Sequence, residues 1–97
     1  MGAVLPCDRH AGKSLANAAV LFANGARVAT QAKTLLPTYD VFDENRYFVP
    51  AASRTPAPLD GMSLGLTICE DGWVGQIPYE VDPTGDLARQ GVQLVAN

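Results

Sequence analysis

Apolar and polar positions alternate along residues 26–32, Ala-Arg-Val-Ala-Thr-Gln-Ala, with the two-residue period of a half-buried strand. Residues 15–23, Leu-Ala-Asn-Ala-Ala-Val-Leu-Phe-Ala, suit a second strand, with helix as the competing reading because of their alanines. Asn24-Gly25 separates the two runs and supplies the positive φ angles of a type I′ turn, which predicts a β-hairpin. Residues 33–50, rich in aromatics and acids and interrupted by Pro37, read as an ordered loop. Pro50, Pro56 and Pro58 mark residues 50–61 as a surface connection. Ser63 to Cys69 is a short apolar run that fits a buried strand. Asp82 to Gln90 predicts an amphipathic helix, with Pro83 in its first turn, Leu87 facing inward and Gly91 past its end. Val92 to Ala96 reads as another buried strand. Strand, helix, strand is the pattern of half an α/β sheet. A last strand with no helix to cover it is an exposed edge, so the chain is expected to be cut from a larger α/β domain.

Composition narrows the function classes. With 47% hydrophobic residues the 97-residue chain is not intrinsically disordered, and its length allows one small domain. Seven Lys+Arg against ten Asp+Glu leave a net charge of −3 and no basic stripe, which excludes nucleic acid as a partner. The longest apolar stretch, Ala18 to Ala23, is far short of the ~20 residues of a membrane helix, and no membrane partner is expected. Met1 to Leu15 lacks the apolar segment of a signal peptide. Cys7 and Cys69 are the only cysteines, which rules out a disulfide scaffold and suits a reducing, cytoplasmic setting.

Candidate chemistry centres on Cys69, at the junction of a predicted strand with Glu70-Asp71-Gly72-Trp73. Taken alone it reads as a small buried hydrophobe. Its surroundings allow a second reading, a sulfur presented at a sheet edge, where the following N–H groups favour a thiolate and an oxyanion. Two carboxylates directly after a buried strand are costly unless they have partners or a ligand. Lys33 is either a solvated strand-end lysine or a site residue. Asp40, Asp43 and Glu44 form an acidic cluster in which Arg46 can pair, interleaved with Tyr39, Phe42, Tyr47 and Phe48, and the stretch is expected to fold back to line a pocket. Cys7-Asp8-Arg9-His10 is a lone Cys-x-x-His, read as loop residues; no metal ligands are assigned.

Three blocks carry a family resemblance: Leu15 to Val20, Lys33 to Phe48 (Lys-Thr-Leu-Leu-Pro-Thr-Tyr-Asp-Val-Phe-Asp-Glu-Asn-Arg-Tyr-Phe), and Gly65 to Trp73 (Gly-Leu-Thr-Ile-Cys-Glu-Asp-Gly-Trp). The chain resembles the carbon–nitrogen hydrolase (nitrilase) superfamily, most closely the glutaminase domains of glutamine-dependent NAD+ synthetases. The resemblance implies an α/β fold, a partial α-β-β-α sandwich truncated at both ends, and a Glu–Lys–Cys triad that hydrolyses glutamine through a thioester. On it, Cys69 is the nucleophile, Lys33 stabilises thiolate and oxyanion, and Glu44 orients the lysine and the substrate. Tyr39 and Phe42 then line the glutamine pocket, and Glu70 holds the substrate's amine.

The family's general base is a further glutamate, upstream of the hairpin. Here the only acid before Lys33 is Asp8. The resemblance therefore implies that the isolated chain is inactive or nearly so. It also implies that a synthetase domain using ATP and Mg2+ lies outside these residues, that no cofactor belongs to them, and that the whole enzyme is a homo-oligomer. Pro50-Ala51 departs from the family's Pro-Gly and affects the loop's turn rather than the chemistry. Another nitrilase-type amidase and a non-catalytic binding module are the alternative readings.

Overall fold

The computed structural model describes residues 1–7, 14–73, 75 and 78–97. The pair Cys7 and His10 therefore falls partly outside the described residues, as does Asp8.

The hairpin forms as its turn signature requires. Strands β2 (Leu15–Ala23) and β3 (Ala26–Ala32) pair antiparallel around Asn24 and Gly25, whose φ angles are +52° and +77°. The alanine-rich first arm is strand rather than helix, because Ala16, Ala18 and Val20 alternate into buried positions. A bulge at Leu21/Phe22 shifts the register near the turn. Strand β1 (Gly2–Pro6), which the sequence pattern did not announce, pairs antiparallel with β2 and completes the sheet order β1-β2-β3.

The second sheet has the order β4-β5-β6. Its first strand, β4 (Ala57–Leu59), lies in the stretch expected to be only a surface connection. Pro58 is tolerated there because β4 is an edge strand that bonds to β5 alone. Asp60 and Gly61, at φ +49° and +75°, form a second tight turn into β5 (Met62–Leu66). The expected strand through Cys69 stops at Leu66, and residues Cys69–Gly72 form a 3₁₀ turn. Helix α2 spans Pro83–Arg89; its cap Asp82 accepts from Gly85 N at 2.8 Å, and Gly91 at φ +80° follows its end. Strand β6 (Leu94–Ala96) runs parallel to β5, as a strand–helix–strand crossover dictates.

The two faces of β5 explain the layering. Leu64 and Leu66 pack with Ala57 against Ala19, Leu21 and Ala29 of the first sheet. Gly65 points the other way and receives Leu87 of α2, which is fully buried; a Cβ built on Gly65 would lie 2.9 Å from Leu87 Cδ1. Sheet, sheet and helix are thus three successive layers of an α-β-β-α sandwich. Strand β6 is exposed throughout, contrary to the buried strand its residues suggested. It bonds only to β5, and α2 covers Gly65 of the central strand rather than β6.

Candidate active site

Lys33 follows β3 directly and is buried at 1% exposure, not solvated. A buried ammonium is costly unless paired. Its Nζ donates to Glu44 Oε1 at 2.6 Å, and Asn17 Nδ2 of β2 approaches Glu44 Oε2 at 3.5 Å. Glu44 opens the one-turn helix α1 (Glu44–Tyr47) and donates its N–H to Pro37 O at 3.2 Å. The loop expected over residues 33–50 therefore folds back through a short helix that places this carboxylate. Arg46 pairs with Asp43 at 3.2 Å on the surface, the pairing its sequence neighbourhood offered.

Cys69 is exposed, with a φ of +47°. A non-glycine residue in the left-handed region stores strain and turns its side chain out of the strand it follows, the device of a nucleophile elbow. It is thus not the small buried hydrophobe that Cys69 taken alone suggested. Among the described residues no hydrogen bond joins its thiol to Lys33 or Glu44; the two parts of the site are tied through Asp71. The Asp71 carboxylate, 2% exposed, accepts from Leu35 N at 2.7 Å, Thr34 N at 3.1 Å and Ile68 N at 3.3 Å. The residues after Lys33 and the residue before Cys69 are held by one side chain. Burial pushes the Asp71 carboxyl above its ordinary value, opposed by these N–H groups and the Lys33 charge.

Glu70 is buried and accepts from two phenols. Tyr39 OH lies 3.0 Å from both of its oxygens, and Tyr79 OH lies 2.8 Å from Oε1. The Tyr39 hydroxyl titrates above its usual value, first because it donates to Glu70. Tyr79 is pushed up to about 12 by burial and by the same hydrogen bond. Phe42 stands edge-on to Tyr39 with ring centroids 5.8 Å apart. Both rings are half-exposed.

Residues 38–48 line neither of the two cavities described beside the sheets. Cys69 borders one cavity of ≈ 390 Å³, whose wall includes Leu64, Leu66, Met1 and Asn97. Asn97 Oδ1 accepts from Thr67 Oγ1 at 3.0 Å, and its amide lies against Gly72. Nothing in the spacing points to Tyr79, which stands nine residues beyond Glu70 in an irregular segment. Asp71 was legible only as a carboxylate in need of partners.

Curated relatives match the chain. A glutamine-dependent NAD(+) synthetase of Synechocystis sp. is 45% identical over 105 residues, covering 100% of this chain and 19% of the relative. Another, of Thermotoga maritima, is 38% identical over 82 residues, covering 84% of this chain and 13% of the relative. The chain is homologous to part of glutamine-dependent NAD(+) synthetase. It spans less than a fifth of the length of either synthetase. The solved structure of the Acinetobacter baumannii glutamine-dependent NAD+ synthetase, in complex with ADP, superposes with a TM-score of 0.78 at 28% identity. That match covers 97% of this chain and 16% of the synthetase chain, so the three layers are a partial nitrilase-like fold. No family model matches the chain.

Proposed function

We propose that these residues form the nucleophile and lysine half of a glutamine amidohydrolase site, within an enzyme that feeds ammonia to NAD+ formation. The reading is carried by one observation: a buried Lys33–Glu44 pair stapled by Asp71 to an outward-turned Cys69. Cys69 Sγ attacks the side-chain carbonyl of glutamine while the Lys33 ammonium stabilises the oxyanion. The carbon–nitrogen bond breaks, the thiol proton leaves with ammonia, and a glutamyl thioester remains for water to cleave. Glu44 holds Lys33, Glu70 receives the substrate ammonium, and Tyr39 with Phe42 flanks the glutamine.

Proton transfer to ammonia and activation of water need a base, and no glutamate precedes Lys33 in these residues. The 97 residues alone are therefore proposed not to turn glutamine over. The amidation that consumes the ammonia would use ATP and Mg2+. That chemistry is assigned to other parts of a cytoplasmic, homo-oligomeric enzyme. No helix of the described residues is long and apolar enough to cross a membrane.

An electrophilic glutamine analogue with mass-spectrometric site mapping tests the proposal. Labelling of Cys69 and not Cys7 is the expected result, whereas equal labelling of both thiols overturns it. Ammonia release by the purified chain, lost in Cys69→Ala, would overturn the proposed inactivity.

A further inference from the structure

Glu70 is a buried carboxylate held without a cation. It is 5% exposed, and none of the ion pairs among the described residues includes it. Its neighbours are neutral: Tyr39 OH bridges both oxygens at 3.0 Å and Tyr79 OH caps Oε1 at 2.8 Å. Two phenols satisfy part of the carboxylate's acceptor capacity of about four lone-pair sites, and leave its negative charge uncancelled.

The two tyrosines come from opposite directions in the chain. Tyr39 lies on the loop between β3 and α1, whereas Tyr79 lies between the 3₁₀ turn and α2. Together they fix the carboxylate in position and orientation, beside the exposed thiol of Cys69. An uncancelled carboxylate in a rigid two-phenol clamp is an acceptor for a primary ammonium, since that donor neutralises the charge and uses the remaining lone pairs. We infer that Tyr79 is a positioning residue that aims Glu70 at the α-ammonium of an amino-acid amide, and so selects substrates with a free amine. This inference rests on the amidohydrolase reading above and adds to it a residue outside the three blocks that carry the family resemblance. The elevated titration of both phenols agrees with a negative charge fixed between them.

The test uses the 97-residue chain and Tyr79→Phe, which keeps the ring and removes only the hydroxyl. Cys69 labelling is timed with 6-diazo-5-oxo-L-norleucine, with its N-acetyl derivative, and with iodoacetamide. The wild-type chain is expected to prefer the free amine. Tyr79→Phe should lose about tenfold in rate with the free-amine reagent, the equivalent of about 1.4 kcal/mol. Its rates with the other two reagents should stay within about twofold, a split that a merely structural defect would not produce. Equal loss with all three reagents, or no loss with any, would overturn the inference.

A second measurement separates the clamp from the chemistry. The ultraviolet titration of Tyr79, taken as wild type minus Tyr79→Phe, should lie well above 10 and fall toward it in Glu70→Gln. A titration that ignores Glu70→Gln overturns the inference whatever the labelling shows. A titration that responds, in a chain that neither amino-acid reagent labels, keeps the clamp and sinks the amidohydrolase reading.

Discussion

Asp71→Ala removes the side chain that ties the Lys33 segment to the Cys69 turn. Three backbone N–H groups, of Thr34, Leu35 and Ile68, lose their acceptor in a region closed to water. At about 1 kcal/mol net per hydrogen bond the loss comes to about 3 kcal/mol. The whole stability expected for a chain this size is only about 5–15 kcal/mol. With a urea dependence of about 1 kcal/mol/M, the unfolding midpoint should fall by about 2–3 M. Asp71→Asn should cost less. Its oxygen still accepts from Leu35 and Thr34, and only Ile68 N then faces a donor, a loss of about 1–2 kcal/mol. The pH dependence has a definite sign. Because burial raises the folded carboxyl, its contribution is fully present below the unfolded value of about 3.9 and is lost as pH rises through the folded value. The alanine deficit should therefore be larger at pH 4 than at pH 7. Urea titrations followed by far-ultraviolet circular dichroism measure all three proteins. An alanine midpoint within about 0.3 M of wild type at both pH values, or an asparagine variant less stable than the alanine one, would refute the reasoning.

Glu44→Gln leaves the buried Lys33 ammonium without its counter-charge and should cost about 2–4 kcal/mol, read as a lower urea midpoint, together with loss of selective Cys69 labelling. Gly65→Ala forces a methyl against Leu87 Cδ1, so thermal unfolding should show a loss of about 1–3 kcal/mol, and Gly65→Ala with Leu87→Val should recover part of it. Asp86 is held below its ordinary value, first by the Arg89 hydrogen bond and then by Arg54. Its contribution is present above the unfolded value of about 3.9 and lost as pH falls through the lower folded value. Asp86→Asn should accordingly be less stable than wild type at pH 7 and nearly equal to it below pH 3, by urea midpoints at the two pH values.

The hairpin was legible because Asn24-Gly25 permits few other conformations, and α2 because Pro83 and Gly91 bracket it. Asp60-Gly61 carries the same turn chemistry as Asn24-Gly25, yet its three neighbouring prolines outweighed it. Their effect is local: an edge strand spares the N–H that Pro58 lacks. β1 is five residues long with a proline at its end, and only its partner β2 makes it a strand. The Lys33 and Cys69 regions stood out by motif, whereas the link between them did not. Asp71 reaches backbone N–H groups of residues 34 and 35, and backbone groups leave no trace in residue identity. Tyr79 was hidden for a related reason: irregular chain has no period, so a side chain it delivers to Glu70 is invisible until folded.

Met1 and Asn97 border the same cavity as Cys69, and each is anchored, Met1 by its ammonium on Val20 O at 2.9 Å and Asn97 on Thr67. Leu21, Leu64 and Leu66 line that cavity as well, so the thiol has an apolar flank. An apolar thiol reagent should therefore reach Cys69 more readily than a charged one of equal size.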